Sequence, residues 1–271
     1  MYTYHEQRIY HLPIPVTVFK SGDLECLAHW HNDVEVIVVL EGSINLGINS
    51  ELQTLIQGDC AICRSGDIHY CDSQNMTSYV MVLIFDPALL DNVSLWPNKR
   101  YFHSPFIKNT SLFSEIKRIV DFIEDELRLQ TPYYELYIKS KIYELCTLLL
   151  RNIPSSSIDC RSYPQRSSTK VVQSVLQYVE ENFNRNLSLE SAAEKFKLCP
   201  SYFSRVFKKN TGSNFKEYVN TLRVRHAQYL LETTQKHVID IAYESGFNSL
   251  RSFNRAFKDV CGRTPSSIRE K

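Results

Sequence analysis

No stretch of this 271-residue chain has the roughly 20 consecutive apolar residues that a membrane-spanning helix requires. A membrane partner is therefore not expected. The start, Met1-Tyr2-Thr3-Tyr4-His5, lacks the basic region and apolar segment of a secretory leader. The eight cysteines lack the regular spacing of a disulfide framework, so free thiols in a reducing cytoplasm are expected. Cys60-x-x-Cys63 is a close pair, but on a strand an i, i+3 pair points to opposite faces. That speaks against a zinc knuckle or a dithiol switch there. Net charge of one sign is also missing. At +1 overall, the chain as a whole gives no reason to expect a polyanionic partner.

The neutrality hides a split. Residues 168–271 hold 17 Lys+Arg against 10 Asp+Glu, a net +7, whereas residues 1–167 hold 14 against 20, a net −6. Such asymmetry marks the C-terminal part as the polyanion binder. The same part contains a repeat: Phe203-x-Arg205-x-Phe207-Lys208-x-x-x-Gly212 returns as Phe253-x-Arg255-x-Phe257-Lys258-x-x-x-Gly262. Each copy reads as a helix that buries two aromatics and exposes basic residues. An internal repeat is one supersecondary unit used twice, and two basic helices at fixed separation suit two entries into a DNA major groove.

Each copy has a short helix before it. Leu189, Ala192, Ala193 and Phe196 form a helical stripe opened by Ser188, Glu190 and Ser191, and Pro200 suits the first turn of the next helix. In the second copy Val238 to Ser245 forms the short helix, Gly246 its left-handed stop, and Asn248 or Ser249 the next cap. Between the units, Phe215, Tyr218, Val219, Leu222, Ala227 and Leu230 predict one continuous helix of about 27 Å. It would place two reading helices near one DNA turn apart. A further amphipathic helix over Val171 to Phe183 precedes them.

On the first reading helix, Ser201, Ser204, Arg205 and Lys208 lie opposite the aromatics; on the second, Arg251, Asn254, Arg255 and Lys258 do. Arg205, Arg251 and Arg255 are candidates for guanine and Asn254 for adenine. Lys208, Lys209 and Lys258 suit phosphates, and Tyr202, Asn248, Ser249 and Ser252 complete the DNA-facing set. Each Arg also has a structural alternative, as a phosphate clamp or in a salt bridge with a neighbouring helix.

Ile239-x-Ile241-Ala242-x-x-Ser245-Gly246-Phe247-x-Ser249, followed by the second repeat copy, Gly262-x-Thr264-Pro265 and Ile268-Arg269, resembles the signature of AraC/XylS-type transcription regulators. The resemblance covers Ser168 to Lys271 and departs at Cys199, where the family often has a capping Ser. It implies double-stranded promoter or operator DNA as partner, a small-molecule effector, and RNA polymerase if the protein is an activator.

The N-terminal part is a different object. Val34–Leu40, Ile44–Ile48, Gln53–Ile56, Cys60–Cys63 and Tyr79–Phe85 are short β-prone runs separated by Glu41-Gly42, Asn49-Ser50, Gln57-Gly58-Asp59 and Ser65-Gly66-Asp67. They predict an antiparallel barrel or sandwich. Within it, His29-x-His31-x-x-x-Glu35, then Gly42, then Gly58-x5-Arg64-x-Gly66-x-x-His69 resemble the two cupin motifs. Arg64 stands where cupins usually have Pro, and Ser73 where the second motif ends in Asn. His29, His31 and Glu35 share parity, so an extended strand would direct them to one face. With His69 they would make a three-His, one-carboxylate transition-metal shell. Family members often keep such a set without metal, to orient an organic effector. The expectation is accordingly no metal, no cofactor and no catalytic residue, with His29, His31, Glu35, His69 and Arg64 binding a sugar or other small polar metabolite and Arg64 holding its carboxylate or phosphate.

Leu112 to Leu129 and Tyr133 to Leu150 are helical runs broken at Thr131-Pro132. Packing on the barrel is one reading of their apolar stripes, and the family resemblance favours a homodimer contact. The expected architecture is α+β and multidomain: a cupin-like barrel (1–110), a helical pair (111–152), a polar linker (153–167) and an all-α tandem helix-turn-helix domain (168–271). Two functions of different class fit it. One is an effector-responsive, sequence-specific transcription regulator; the other is a metal-dependent cupin enzyme fused to a DNA-binding domain.

Overall fold

A computed structural model describes residues 10, 12–73, 76–90, 100–108, 111–157 and 165–268. The chain start, linker residues 158–164 and Arg269 of the family signature lie outside the described residues. Two compact units form, Met1–Thr169 and Lys170–Lys271.

One long strand organises the first unit. After β1 (Val16–Gly22) and β2 (Cys26–His29) comes β3 (Val34–Ile48), followed by β4 (Glu51–Ile56), β5 (Cys60–Cys63), β6 (His69–Asp72) and β7 (Ser78–Phe85). All pairing is antiparallel. The first half of β3 pairs with β7 and β5, and its second half with β4 and β6. β1 joins at β7, and β2 pairs with β6. The expected break at Glu41-Gly42 is a bend within a continuous strand. A register shift between Val39 and Glu41 absorbs an extra residue, and Gly42 takes φ +69° where a Cβ would meet the Thr77 carbonyl. Only glycine fits there.

Both faces of β3 are covered, which explains the apolar run Val36–Val39 that follows Glu35. Val34, Val36 and Val38 face a cluster with Ile116, Ile119, Val120 and Ile123 of α1 (Leu112–Leu129) and Ile138, Ile142, Leu145 and Leu149 of α2 (Tyr134–Asn152). Ile37 and Val39 face the barrel interior with Leu46, Leu55, Val82 and Ile84. The helical stripes thus bury against the sheet, each buried aliphatic contributing about 1.5–3 kcal/mol. Leu136, near the start of α2, stays outside this core at 70% exposed. Cys60 and Cys63 fall in the two different clusters, as their spacing requires. Burial and the Asp59 charge push the Cys60 thiol up to about 12.

The second unit is helical: α3 (Gln165–Asn182) from Lys170 onward, α4 (Leu189–Lys195), α5 (Pro200–Thr211), α6 (Phe215–Thr233), α7 (Val238–Glu244) and α8 (Leu250–Cys261). Ser188 caps α4 in a reciprocal pair with Ser191, and Asn214 caps α6 in another with Glu217. Ser249 caps α8, whereas Cys199 gives α5 no side-chain cap. The N-terminal part of α6 supplies Phe215 and Tyr218 to the aromatic cluster of Phe203 and Phe207. Its C-terminal part supplies Val224, Ala227, Leu230 and Leu231 to the core of Ile241, Ala242, Phe253 and Phe257. One helix therefore belongs to both cores.

Gly246 closes α7 at φ +88°, and a Cβ there would lie 2.7 Å from Asn184 Cα, which is backbone that cannot step aside. Gly246→Ala is expected to destabilise the second unit by about 1–3 kcal/mol. Urea unfolding followed by far-UV circular dichroism measures it, and an unchanged midpoint would contradict the close approach.

Candidate functional site

The repeat folds into two reading helices, α5 and α8. On α5, Phe203 and Phe207 are buried while Ser201, Tyr202, Arg205, Lys208 and Lys209 are exposed and Ser204 half-buried. On α8, Phe253 and Phe257 are buried while Arg251, Ser252, Asn254, Arg255 and Lys258 are exposed, as are Asn248 and Ser249 just before it. The i, i+4 aromatic spacing puts both rings inward and leaves the residues between them in water. Arg205 lies over the Tyr202 ring at 5.7 Å. Arg255 approaches Asp259 at 3.8 Å, with both side chains mostly exposed. A surface pair this loose contributes little and does not withhold the guanidinium from a ligand.

Arg223 of α6 ties the unit together. Its Nε donates to the Phe183 carbonyl at 2.7 Å and its Nη2 to the Arg185 carbonyl at 2.9 Å, beside the Phe247 ring. A cation on the last carbonyls after α3 also complements that helix terminus.

In the first unit His29, His31, Glu35 and His69 converge, with one potential ligand atom from each lying within 4.8 Å of all the others. His31, Glu35 and His69 are buried and His29 half-buried. Glu35 Oε2 lies 3.1 Å from His31 Nε2 and 3.4 Å from His69 Nε2. Each ring is held through its other nitrogen: Nδ1 of His29 to the Leu27 carbonyl at 2.8 Å, of His31 to the Asp33 carbonyl at 3.1 Å, and of His69 to the Asp67 carbonyl at 2.9 Å. A carbonyl only accepts, so each Nδ1 carries the proton and each Nε2 is left to face the centre. His69 Nε2 is buried without a hydrogen-bond partner. Burial alone raises the Glu35 carboxyl, but His69 and His31 together outweigh it and hold the group well below the usual carboxylate range.

These residues fit a divalent transition metal: three imidazole Nε2 atoms and one carboxylate, oriented by backbone acceptors behind them. The box is flanked by thiols. Cys26 is held well below the usual thiol range by a hydrogen bond from Cys71, then by His29 and His69, against the opposing effect of burial.

The comparisons with known proteins place both halves. Residues 192–271 match the helix-turn-helix domain model, and residues 15–85 match the cupin domain model. The Msm operon regulatory protein of Streptococcus mutans is 29% identical over 239 residues, covering 86% of this chain and 82% of the relative. The melibiose operon regulatory protein of Escherichia coli is 25% identical over 268 residues, covering 93% and 86%. The chain belongs to the AraC/XylS-type transcription regulators. It joins a cupin-like N-terminal region to the family's DNA-binding domain. Among solved structures, the C-terminal domain of AraT, a response regulator from Geobacillus stearothermophilus, is 31% identical, covering 41% of this chain and 87% of that one at a TM-score of 0.36. No helix among the described residues of this AraC/XylS-type chain is long and apolar enough to cross a membrane.

The route by which the box assembles differs from the sequence expectation. His29 ends β2, His31 sits in the link before β3, and Glu35 lies within β3. No single strand carries the three. A turn brings them together, and the His69 end of β6 pairs with His29. Arg64 is engaged by Asp67, Nε to Oδ2 at 3.3 Å and Nη2 to Oδ1 at 3.2 Å. Sequence reasoning missed Asp33 and Asp67, whose carbonyls orient two of the rings. Side-chain identity gave no signal for them, since the backbone carbonyl makes each contact and Leu27, an apolar residue, does the same for His29.

Proposed function

We propose that this regulator binds operator DNA by inserting α5 and α8 into successive major grooves, and that a signal received in its barrel controls that binding. The observation that carries the reading is the duplicated helix: two aromatics buried and a basic, polar face left in water, twice, around one shared α6. Arg205, Arg251, Arg255 and Asn254 read base edges, while Lys208, Lys209 and Lys258 hold phosphates. Ser201, Tyr202, Ser204, Asn248, Ser249 and Ser252 border those contacts. The barrel's signal is a small polar effector at His29, His31, Glu35 and His69, with Arg64 at the rim. The protein acts in the cytoplasm and, as an activator, would contact RNA polymerase. A homodimer through the helical pair is supported by Leu129, Tyr133, Leu136 and Tyr137, which are exposed around the turn between α1 and α2.

A second reading of the barrel is favoured by the three locked Nδ1 atoms and by His69 Nε2, which is buried near Glu35 without a hydrogen bond. In it, the four residues hold a divalent metal, which would offer open positions to an effector oxygen. His29, His31 and His69 supply neutral imidazoles, and Glu35 offsets part of the cation's charge.

Binding-site selection with the full-length protein tests the DNA reading. Arg255→Ala is expected to weaken the selected operator by about 1–3 kcal/mol and to relax preference at one base position. Lys208→Ala is expected to weaken all sequences alike. Identical selections from the two variants would refute the division between readers and clamps, and absence of DNA binding at low salt by the folded parent would refute the proposal.

A further inference from the structure

Cys26 on β2 and Cys71 on β6 are register partners in an antiparallel pair. The Cys71 backbone N–H donates to Cys26 Sγ at 2.9 Å. Directly opposed residues in such a pair have Cα atoms about 4.5–5.5 Å apart, within the range of about 4.4–6.8 Å that a disulfide spans. The seven cysteines among the described residues are all free, so both partners are available as thiols. Cys26 keeps part of its surface in solvent, whereas Cys71 is 5% exposed.

The same two strands carry half of the histidine box. His29 and His69 are the next register pair along β2 and β6, and a register shift separates it from Cys26 and Cys71. Any change in the spacing of the thiol pair acts on a short, irregular ladder whose next rung consists of two box residues.

We propose that Cys26 and Cys71 form a peroxide-sensitive dithiol, whose closure to a cross-strand disulfide alters the His29–His69 pair and weakens ligand binding at the box. In the first step the Cys26 sulfur attacks one oxygen of hydrogen peroxide and the O–O bond breaks. The thiol proton leaves with the departing hydroxide as water, and Cys26 becomes a sulfenic acid. In the second step the Cys71 sulfur displaces the sulfenic hydroxyl, the S–S bond forms, and a second water carries away the Cys71 proton. Two thiols lose two electrons and the peroxide takes both. Thiol–disulfide exchange with a small thiol reverses the step. The disulfide stands on strand geometry alone; its effect on the box rests on the metal reading given above.

The test uses the full chain, reduced and then exposed to hydrogen peroxide. Remaining thiols are alkylated in denaturant and the peptides mapped without reduction. A Cys26–Cys71 crosslink that dithiothreitol reverses is expected. Cys71→Ser should instead stop at a sulfenic acid on Cys26, trapped by dimedone. A folded protein that forms no such crosslink, or that pairs Cys26 with Cys63, overturns the proposal. The second arm measures Zn²⁺ affinity by competition with a chromophoric chelator. Oxidation is expected to weaken it about tenfold or more, the scale on which changes behind metal ligands act. The Cys26→Ser/Cys71→Ser double variant should show equal affinity before and after peroxide. Equal affinity of the parent in both states overturns the coupling. If the reduced parent takes up no Zn²⁺, the metal reading falls and the coupling with it, while a mapped crosslink would still establish the dithiol.

Discussion

Phe257→Ala is expected to destabilise the DNA-binding unit by about 3–5 kcal/mol and to abolish operator binding. Phe257 is fully buried, packs against Phe253 at a ring separation of 5.4 Å, and shares its cluster with Leu230, Leu231 and Ala242. Removing the ring leaves a cavity between α6, α7 and α8 that rigid helices close only in part. Against a total domain stability of about 5–15 kcal/mol, that is a large share. The chain offers a clean readout. Both tryptophans, Trp30 and Trp96, precede residue 170 in the sequence, where the second unit begins, so the second unit has no tryptophan and fluorescence does not follow it, while circular dichroism also follows its helices. The expected result is an early helical transition in urea with the fluorescence transition unmoved. A fluorescence midpoint that moves with it would show that the two units do not unfold separately, and an unchanged helical transition would refute the core assignment.

His31→Ala has the other large expected effect, on metal content. On the metal reading of the box, the parent, purified without chelator, is expected to carry close to one divalent transition metal per chain by elemental analysis, and the variant close to none. His31 is a strong choice because it is buried, bonded to the Asp33 carbonyl, and 3.1 Å from Glu35. Its loss removes a ligand and also a group that holds Glu35. Removing a ligand acts more strongly than removing the groups behind it, which already changes affinity about 10–100-fold. Binding of DNA by the second unit should survive the change. A parent without metal, responding normally to an organic effector, would return the box to a hydrogen-bonding role.

The two halves of the chain were legible for different reasons. In the second, every helix the sequence predicted is present, because many starts and stops are written in local chemistry: Ser188 and Ser191, Asn214 and Glu217, Gly212, Gly246 and Gly262. Helix signals depend on neighbours three and four residues away. Strand signals depend on partners far along the chain, and there the reading was weaker. β1, β2 and β6 did not stand out as strands, since Val16–Gly22 acquires its role only from β7. Glu41-Gly42 looked like a turn because a bulge uses the same residue type. The box residues stand at motif spacing, yet they meet through the end of β2, the link and β3 rather than on one face of a single strand, which strand parity cannot foresee. The carbonyls that fix the rings could not be read from side-chain identity, because backbone groups carry that function.

The place of α6 in two cores has a consequence for how such a regulator and its operators diverge over generations. With α5 and α8 each entering a major groove as proposed above, substitutions on their exposed faces can change which bases each helix prefers, because Phe203, Phe207, Phe253 and Phe257 hold the scaffold from the other side. None of them changes the distance between the two helices, which one covalently continuous helix sets. A promoter that acquires a base substitution therefore keeps a weaker site that either partner can later repair. A promoter that gains or loses a base pair between the two contacted grooves rotates and shifts one of them out of reach, and no single change in the protein follows it. On that mode of binding, operator sequence is free to drift, while operator spacing is inherited unchanged.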